Sequence, residues 1–478
     1  MPIWLFFACT DKPAADTAPA DRDTAQADTS PDRDTAPSDT EPGGDSGQDT
    51  SHDTGAHTGD TSPPPELGEW GWPLDQLATA SWTASVTYDL RLLKDLGDLD
   101  GDGLDDLLLG GEPVSDDYEA PVYARVISGA GATAGDLGTS VAELQVSTRS
   151  LGDRNTYAAF SPGDVDGDGL ADLLLGDLDQ GESGEACLHR GPLVDELAWK
   201  DCDVTWSGAE GDFFSAVPGH SRVDVDGDGD NEVVLGAWAD GVLRVEVYDA
   251  SSELVQSRSV ATPELNAPDY VNVSRALLVS DMRTSGELEL VVQALHGEQC
   301  EAMALPWDEQ GTATWDGIGI GDYGCWGRSR AVGDLTGDGL ADVALARTYD
   351  RYYPRTSLVH HGDEPTVTHL GADPLGGWHE PFEFLEPTNL GGAWISTRYD
   401  TYCLVDAPLD EDGELEPPLD RCLEAPSEAG NVSVGPLATP DVDGDGLDDL
   451  VLAYTGDTGL MTVHLLLGAT LKATMGLD

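Results

Sequence analysis

The chain has 478 residues, with 91 Asp and Glu against 23 Lys and Arg and a formal net charge of −68 at pH 7. So acidic a surface excludes binding to nucleic acid or to an anionic membrane through charge alone, because like charges repel. It suits a solvated exterior in a salty or Ca²⁺-rich medium, or cationic partners.

In chain order, the first element is the apolar run MPIWLFFAC, residues 1–9. It is too short to cross a bilayer, which takes about 20 apolar residues. Its end, Phe6-Phe7-Ala8-Cys9, resembles the lipobox of a bacterial lipoprotein signal. That resemblance implies a lipid on Cys9 and a place on the bacterial cell surface or outer membrane. Residues 10–66 carry 14 acidic and 3 basic side chains and no large apolar one. Such a segment cannot bury enough surface to offset its ordering entropy and is predicted to be a disordered linker. As a flexible coil it spans roughly 40–45 Å, more with charge repulsion.

Trp70, Trp72 and Trp82 open the expected folded region, residues 67–478. Within it one acidic loop recurs: DLDGDGLDD at Asp98, DVDGDGLAD at Asp164, DVDGDGDNE at Asp224, DLTGDGLAD at Asp334 and DVDGDGLDD at Asp441. Carboxylates at positions 1, 3 and 5 share one side of a turn that Gly at positions 4 and 6 allows to bend sharply. The carbonyl of position 7 and the acid of position 9 complete an oxygen cage suited to Ca²⁺. The expected ligands are Asp98, Asp100, Asp102, Leu104 and Asp106 in the first loop, and Asp164, Asp166, Asp168, Leu170 and Asp172 in the second. They are Asp224, Asp226, Asp228, Asp230 and Glu232 in the third, and Asp334, Thr336, Asp338, Leu340 and Asp342 in the fourth. In the fifth they are Asp441, Asp443, Asp445, Leu447 and Asp449. An EF-hand needs Glu at position 12, where every copy here has Leu. Each loop runs instead into a short apolar segment (LLLG, LLLG, VVLG, VALA, LVLA) that reads as a buried strand.

The first loops follow one another at about 60 residues, and the two later gaps are about twice as long. Each long gap is expected to hold a decayed copy. One is DMRTSGELE at Asp281, without metal; the other lies near residue 385, at FEFLEPTNLGG before AWIS. Each repeat has room for four short strands, in the first near 87–94, 106–110, 121–128 and 142–148. Four strands per repeat in seven repeats read as an all-β, seven-bladed β-propeller behind a disordered acidic linker. Either Ala80–Thr83 or a strand near Leu471–Met475 is expected to complete the last blade.

The loop with its apolar strand resembles the FG-GAP or VCBS-type repeat of the integrin α head and of many bacterial surface proteins, over roughly residues 80–478. The resemblance implies a Ca²⁺-stabilised propeller serving adhesion, sugar binding or enzyme scaffolding.

Besides Cys9, six cysteines remain, and neighbours pair as Cys187–Cys202, Cys300–Cys325 and Cys403–Cys422, each inside one repeat. Local pairs in even number suit an oxidising compartment, although six cysteines permit 15 connectivities. No CxxC occurs, which argues against zinc or thioredoxin-type chemistry. No GxSxG, HExxH or phosphate-binding GxxxxGK[ST] is present, so no catalytic role is expected. The expected protein is a monomeric extracellular adhesion or binding protein, recognising a protein or a carbohydrate and touching the membrane only through its lipid. The alternatives are a polysaccharide lyase or hydrolase on the same scaffold, or a structural envelope component.

Overall fold

The fold is given by a computed structural model. It describes residues 67, 71–113, 122–134, 142–147, 157–177, 183–193, 197–198, 202–209, 213–216, 222–239, 241–261, 276–280, 288–296, 299–308, 311–314, 316–322, 329–347, 355–361, 365–370, 385–397, 401–408, 419–425, 433–455 and 460–477. The chain divides into two units, 1–62 and 63–478, and every described residue belongs to the second. Cys9 and the acidic segment therefore lie outside the described residues.

The described residues are mostly strand with few helices, and the strands form consecutive four-stranded antiparallel meanders. The first uses the second half of Ala80–Gly97, then Asp106–Pro113, Val122–Ile127 and Ala142–Ser147. The second is Tyr157–Gly163, Asp172–Asp177, Glu185–His189 and Val204–Ser207. The third is Phe213–Ala216, Val233–Ala239, Val242–Tyr248 and Leu254–Ala261. The fourth is Ala276–Ser280, Leu288–His296, Gln299–Pro306 and Ile318–Asp322. The fifth is Ser329–Gly333, Asp342–Arg347, Arg355–His361 and Pro365–Leu370. The sixth is Leu385–Thr388, Gly392–Thr397, Thr401–Asp406 and Cys422–Glu424, so the hairpin expected near residue 385 is there. The last set is Ser433–Ala438, Leu450–Thr455 and Leu460–Leu466, and its fourth strand comes from the other end of the chain. Ala80 to Thr87 pairs with Leu465 to Leu460, while Tyr88 to Gly97 pairs with Pro113 to Asp106. One long strand thus serves the first and last meanders. The alternative strand near Leu471–Met475 is instead helical.

The α-helices among the described residues are α1 (Leu74–Leu77), α2 (Gly129–Thr133) and α3 (Gly468–Met475). None is long and apolar enough to cross a membrane. Leu74 and Leu77 of α1 share a core cluster with Leu471 and Met475 of α3. Just before α1, Trp72–Pro73 adds a parallel strand to Cys422–Glu424, and Trp72 Nε1 donates to the Asp420 carbonyl at 2.9 Å.

The apolar runs after the loops are buried on both faces because each second strand lies between two neighbouring meanders. Successive side chains of a strand point to opposite sides. Leu107 and Leu109 accordingly pack with the last meander, against Val451 and Val463, while Leu108 packs with the second, against Leu173 and Leu175. Leu174 points the other way and meets Val233 and Leu235 of the third. Val234 then meets Leu290 and Val292 of the fourth. The fifth and sixth share Ala344 and Ile395, and the sixth and last share Trp394, Leu450 and Leu452. Each fully buried Leu contributes about 1.5–3 kcal/mol, so the runs bind these neighbouring meanders to one another.

Candidate metal centres

All five acidic loops connect the first and second strands of their meanders, as the repeat pattern predicts. Gly at positions 4 and 6 has positive φ in every copy, from +70° at Gly444 to +105° at Gly229. This left-handed conformation is nearly free for Gly and costly for other residues. It turns backbone N–H groups inward. The position 1 carboxylate accepts two of them; in the first loop Asp98 takes Gly101 at 2.7 Å and Gly103 at 2.9 Å. Asp164, Asp224 and Asp334 do the same.

Acids converge in four of the five loops among the described residues. The groups are Asp98, Asp100 and Asp106; Asp164, Asp166 and Asp172; Asp441, Asp443 and Asp449; and Asp224, Asp226, Asp228 and Glu232, with ligand atoms within 4.8 Å of one another. The donor sets are all oxygen. In the second loop Asp166 Oδ1 is buried with no hydrogen-bond partner. Hard oxygen donors on tight turns fit Ca²⁺. Position 5 joins the cluster only in the third loop. In every copy the position 5 carboxylate also accepts the position 7 N–H: Asp102, Asp168, Asp228, Asp338 and Asp445 take it from Leu104, Leu170, Asp230, Leu340 and Leu447 at 2.8–3.0 Å. Asp102 also takes the Ser128 hydroxyl at 2.8 Å. In the loop at Asp334, Thr336 stands at position 3, and its hydroxyl and N–H both donate to Asp342.

The position 9 acid has a second task that the sequence reading missed. Asp106 is fully buried. Its Oδ2 accepts Leu99 N–H at 2.9 Å and Asp100 N–H at 3.1 Å, and its Oδ1 accepts Gly129 N–H at 3.0 Å. Asp172 likewise joins Val165 to Gly191, and Asp449 joins Val442 to Gly468. One carboxylate thus fastens each of these three loops to the segment after the third strand. Those three glycines are needed by close approach. A Cβ would lie 2.6 Å from Leu104 Cβ at Gly129, 2.8 Å from Leu170 Cβ at Gly191, and 2.6 Å from the Asp448 carbonyl oxygen at Gly468. The signal in the sequence is a Gly just after the third strand of these repeats.

Burial raises these carboxylates. Asp106 is pushed up to about 7, with Asp100 adding to the effect, and Asp449 to about 7, with Asp443 adding. Asp172 moves to about 6 and Glu232 to about 7, burial again being the main cause. A bound cation supplies the opposite charge that favours the ionised form.

Four of the five loops, the last, first, second and third, are linked head to tail. The position 8 N–H donates to the position 1 carbonyl of the preceding loop: Ala171 to Asp98 at 2.8 Å and Asn231 to Asp164 at 2.8 Å. Asp105 donates to Asp441 at 3.2 Å, which joins the first loop to the last. Asp105 Oδ2 also accepts the Asp441 N–H at 2.9 Å. The sixth meander has only a short turn at this place. There Asn389 replaces the loop, its amide oxygen accepting Asp448 N–H at 2.9 Å. The decayed copy at Asp281 falls mostly outside the described residues; only Leu288 and Glu289 are described, and Glu289 is buried.

Beside the loops lies a pocket of about 830 Å³. The first, third, fifth, sixth and last meanders all contribute to it, through Asp95, Asp105, Arg222, Asp334, Thr388, Asn389 and Asp448 among others. Arg222 reaches Asp95 Oδ2 at 3.3 Å. Two expected disulfides are present, Cys187–Cys202 and Cys403–Cys422. The third, Cys300–Cys325, falls outside the described residues at Cys325.

No known sequence family matches the chain, and no curated protein does. Among solved structures it is similar to a Trypanosoma rangeli sialidase in complex with 2,3-difluoro-KDN, at 8% identity and TM-score 0.35, over 83% of this chain and 60% of that one. It is also similar to the Dos1 propeller, at 8% identity and TM-score 0.38, over 81% and 95%. A third is a subtype N10 neuraminidase-like protein of A/little yellow-shouldered bat, at 11% identity and TM-score 0.32, over 81% and 98%. The expectation that the chain has no catalytic role is corrected by this finding. Similar solved structures include sialidases, one of them captured as a covalent intermediate, so missing sequence motifs do not exclude catalysis. At these scores the likenesses assign no activity and no ligand to this chain.

Proposed function

We propose that residues 67–478 form a seven-bladed β-propeller of the FG-GAP/VCBS kind, whose acidic loops hold Ca²⁺ and whose role is to bind an extracellular protein or carbohydrate. The observation that carries the reading is the set of head-to-tail links that joins four of the acidic loops and runs from the third back to the last through Asp105 and Asp441. It is supported by the strand shared between the first and last meanders and by the core clusters between neighbours. The cation neutralises carboxylates that otherwise repel by about 4 kcal/mol per pair near 4 Å at an effective dielectric of 20. Extracellular modules bind Ca²⁺ at about 10⁻⁴–10⁻³ M. At roughly 2 mM Ca²⁺, mass action then gives about 0.6–1.8 kcal/mol per site. The metal is structural in this reading: it sets the loops that surround the pocket. Four Asp against one Arg in that lining suit neutral or cationic groups better than anionic ones. The two disulfides accord with an extracellular location, and a lipid on Cys9 would tether the chain to a cell surface.

The test is unfolding of the full chain in EDTA and then in millimolar Ca²⁺ or Mg²⁺, with a calorimetric count of bound ions. A Ca²⁺-selective rise in melting temperature with about five ions supports the reading. No rise and no bound ion would leave the loops as turns. Glycan-array and protein-capture screens in Ca²⁺ then test the binding role, with hydrolase and lyase assays run on the same glycans.

A further inference from the structure

Away from the acidic loops, one other set of metal-ligating side chains converges among the described residues, in the second meander. Cys187 and His189 are two residues apart on Glu185–His189 and so project to the same side. Cys202 lies just before Val204–Ser207, which pairs antiparallel with that strand, Thr205 opposite Cys187. Cys187 Sγ is 3.3 Å from His189 Nε2. The ligand atoms of Cys187, His189 and Cys202 lie within 4.8 Å of one another. Cys187 and His189 are buried and Cys202 is half-buried. The two cysteines are joined as a disulfide, with Cα atoms 5.5 Å apart.

A tetrahedral zinc ion with Zn–S of about 2.3 Å and Zn–N of about 2.05 Å sets sulfur and nitrogen about 3.6 Å apart, and two sulfurs about 3.8 Å apart. The Cys187–His189 separation is already close to the first edge. Two thiol sulfurs no longer bonded to each other rest near the second. We propose that reduction of the Cys187–Cys202 disulfide converts this cluster into a Zn²⁺ site with two sulfur ligands and one nitrogen ligand. A dithiol reductant attacks one sulfur, and its second thiol then resolves the mixed disulfide. The reductant leaves as its own cyclic disulfide, and the protein gains two electrons and two protons as two thiols. Zn²⁺ displaces both thiol protons to solvent, and neutral His189 gives its Nε2 lone pair. Two thiolates and Zn²⁺ sum to zero charge, which suits a buried place where an unpaired ion is costly. Water fills the fourth position on the half-buried Cys202 side, since three protein ligands leave one position open.

The other described disulfide is an internal control. Cys403 and Cys422 pair directly across two strands, and no His, Asp or Glu joins them in such a cluster among the described residues. The missing CxxC argued against zinc, but strand pairing brings a Cys-x-His segment to a cysteine 13 residues further on.

The test uses the full chain, reduced with dithiothreitol, desalted without oxygen and kept in excess Ca²⁺ so that the acidic loops are filled. Co²⁺ is the probe, because thiolate ligation gives charge-transfer and intense d–d bands that oxygen-only sites lack. The expected result is about one equivalent of tetrahedral Co²⁺, displaced by Zn²⁺. The bands should be absent from the oxidised protein and from the Cys187→Ser/Cys202→Ser variant, altered in His189→Gln, and intact in Cys403→Ser/Cys422→Ser. Absent bands in reduced protein that keeps its circular dichroism and titrates with free thiols would overturn the proposal. So would bands that survive in Cys187→Ser/Cys202→Ser or stay unchanged in His189→Gln.

Discussion

Replacing Gly129 by Ala tests the fastening of the first loop without reference to any metal. The added Cβ would meet Leu104 Cβ at 2.6 Å, the Asp105 carbonyl oxygen at 2.7 Å and the Val442 carbonyl oxygen at 3.2 Å. Two of these contacts are backbone, so relief requires the start of α2 to move. Overpacking of this kind costs about 1–3 kcal/mol. Movement also stretches the Gly129 N–H bond to Asp106 Oδ1, and a buried acceptor left without its donor costs about 1–3 kcal/mol more. The sum is roughly 2–6 kcal/mol. At about 2.1 cal/mol/K per residue over roughly 400 residues, unfolding entropy is about 0.8 kcal/mol/K, so melting should fall by about 2–7 °C. Calorimetry in EDTA measures this, with Gly191→Ala and Gly468→Ala expected to act alike because their surroundings repeat. A Gly129→Ala protein that melts within about half a degree of the parent would refute the close approach and with it the double role of Asp106.

Further outcomes follow from the same geometry. In EDTA, stability should fall as pH rises from about 4 to 7. Asp106, Asp172, Glu232 and Asp449 have folded values raised above their unfolded ones, so the folded state holds more protons there and loses that stability as they ionise. Urea midpoints at pH 5 and pH 8 measure this; an equal or higher midpoint at pH 8 without Ca²⁺ contradicts it. Asp100→Asn should weaken Ca²⁺ binding at the first loop by tenfold or more, about 1.4 kcal/mol or above. Asp102→Asn should change it far less, because Asp102 already faces Leu104 N–H and Ser128; calorimetric titration showing equal losses would reject that distinction. Tyr402→Phe removes the hydroxyl that donates to the Ala453 carbonyl between the sixth and last meanders. It should cost about 0.5–1.5 kcal/mol in a urea titration, and an unchanged midpoint would show the bond to be of no consequence.

Much of this protein was legible because the repeat carries its own punctuation. Asp and Gly at fixed offsets announce a left-handed turn and an oxygen cage, and the apolar run after them announces a strand with no wet face. The hairpin at Leu385–Thr388 and Gly392–Thr397 lies where the repeat spacing places a copy that has lost the motif. The pairs Cys187–Cys202 and Cys403–Cys422 join chain neighbours, as expected.

Other features depend on contacts between residues far apart in the chain, which no local pattern encodes. Ala80 to Thr87, rather than the segment at Leu471–Met475, completes the last meander, because its register with Leu460–Leu466 continues a strand already begun. Asp102 is held by the Ser128 hydroxyl, which the third strand of its repeat delivers, as well as by its own loop. Gly129, Gly191 and Gly468 look like ordinary turn residues until the loop of the same repeat folds against them. His189 carries no signal beyond its spacing from Cys187 until antiparallel pairing delivers Cys202. Sequence by itself determined the turn chemistry and the strand pattern, since both depend on neighbouring residues. The tertiary structure decided how the position 9 carboxylates are held, because the N–H groups of Gly129, Gly191 and Gly468 reach them only when the third strand of the repeat packs beside its own loop.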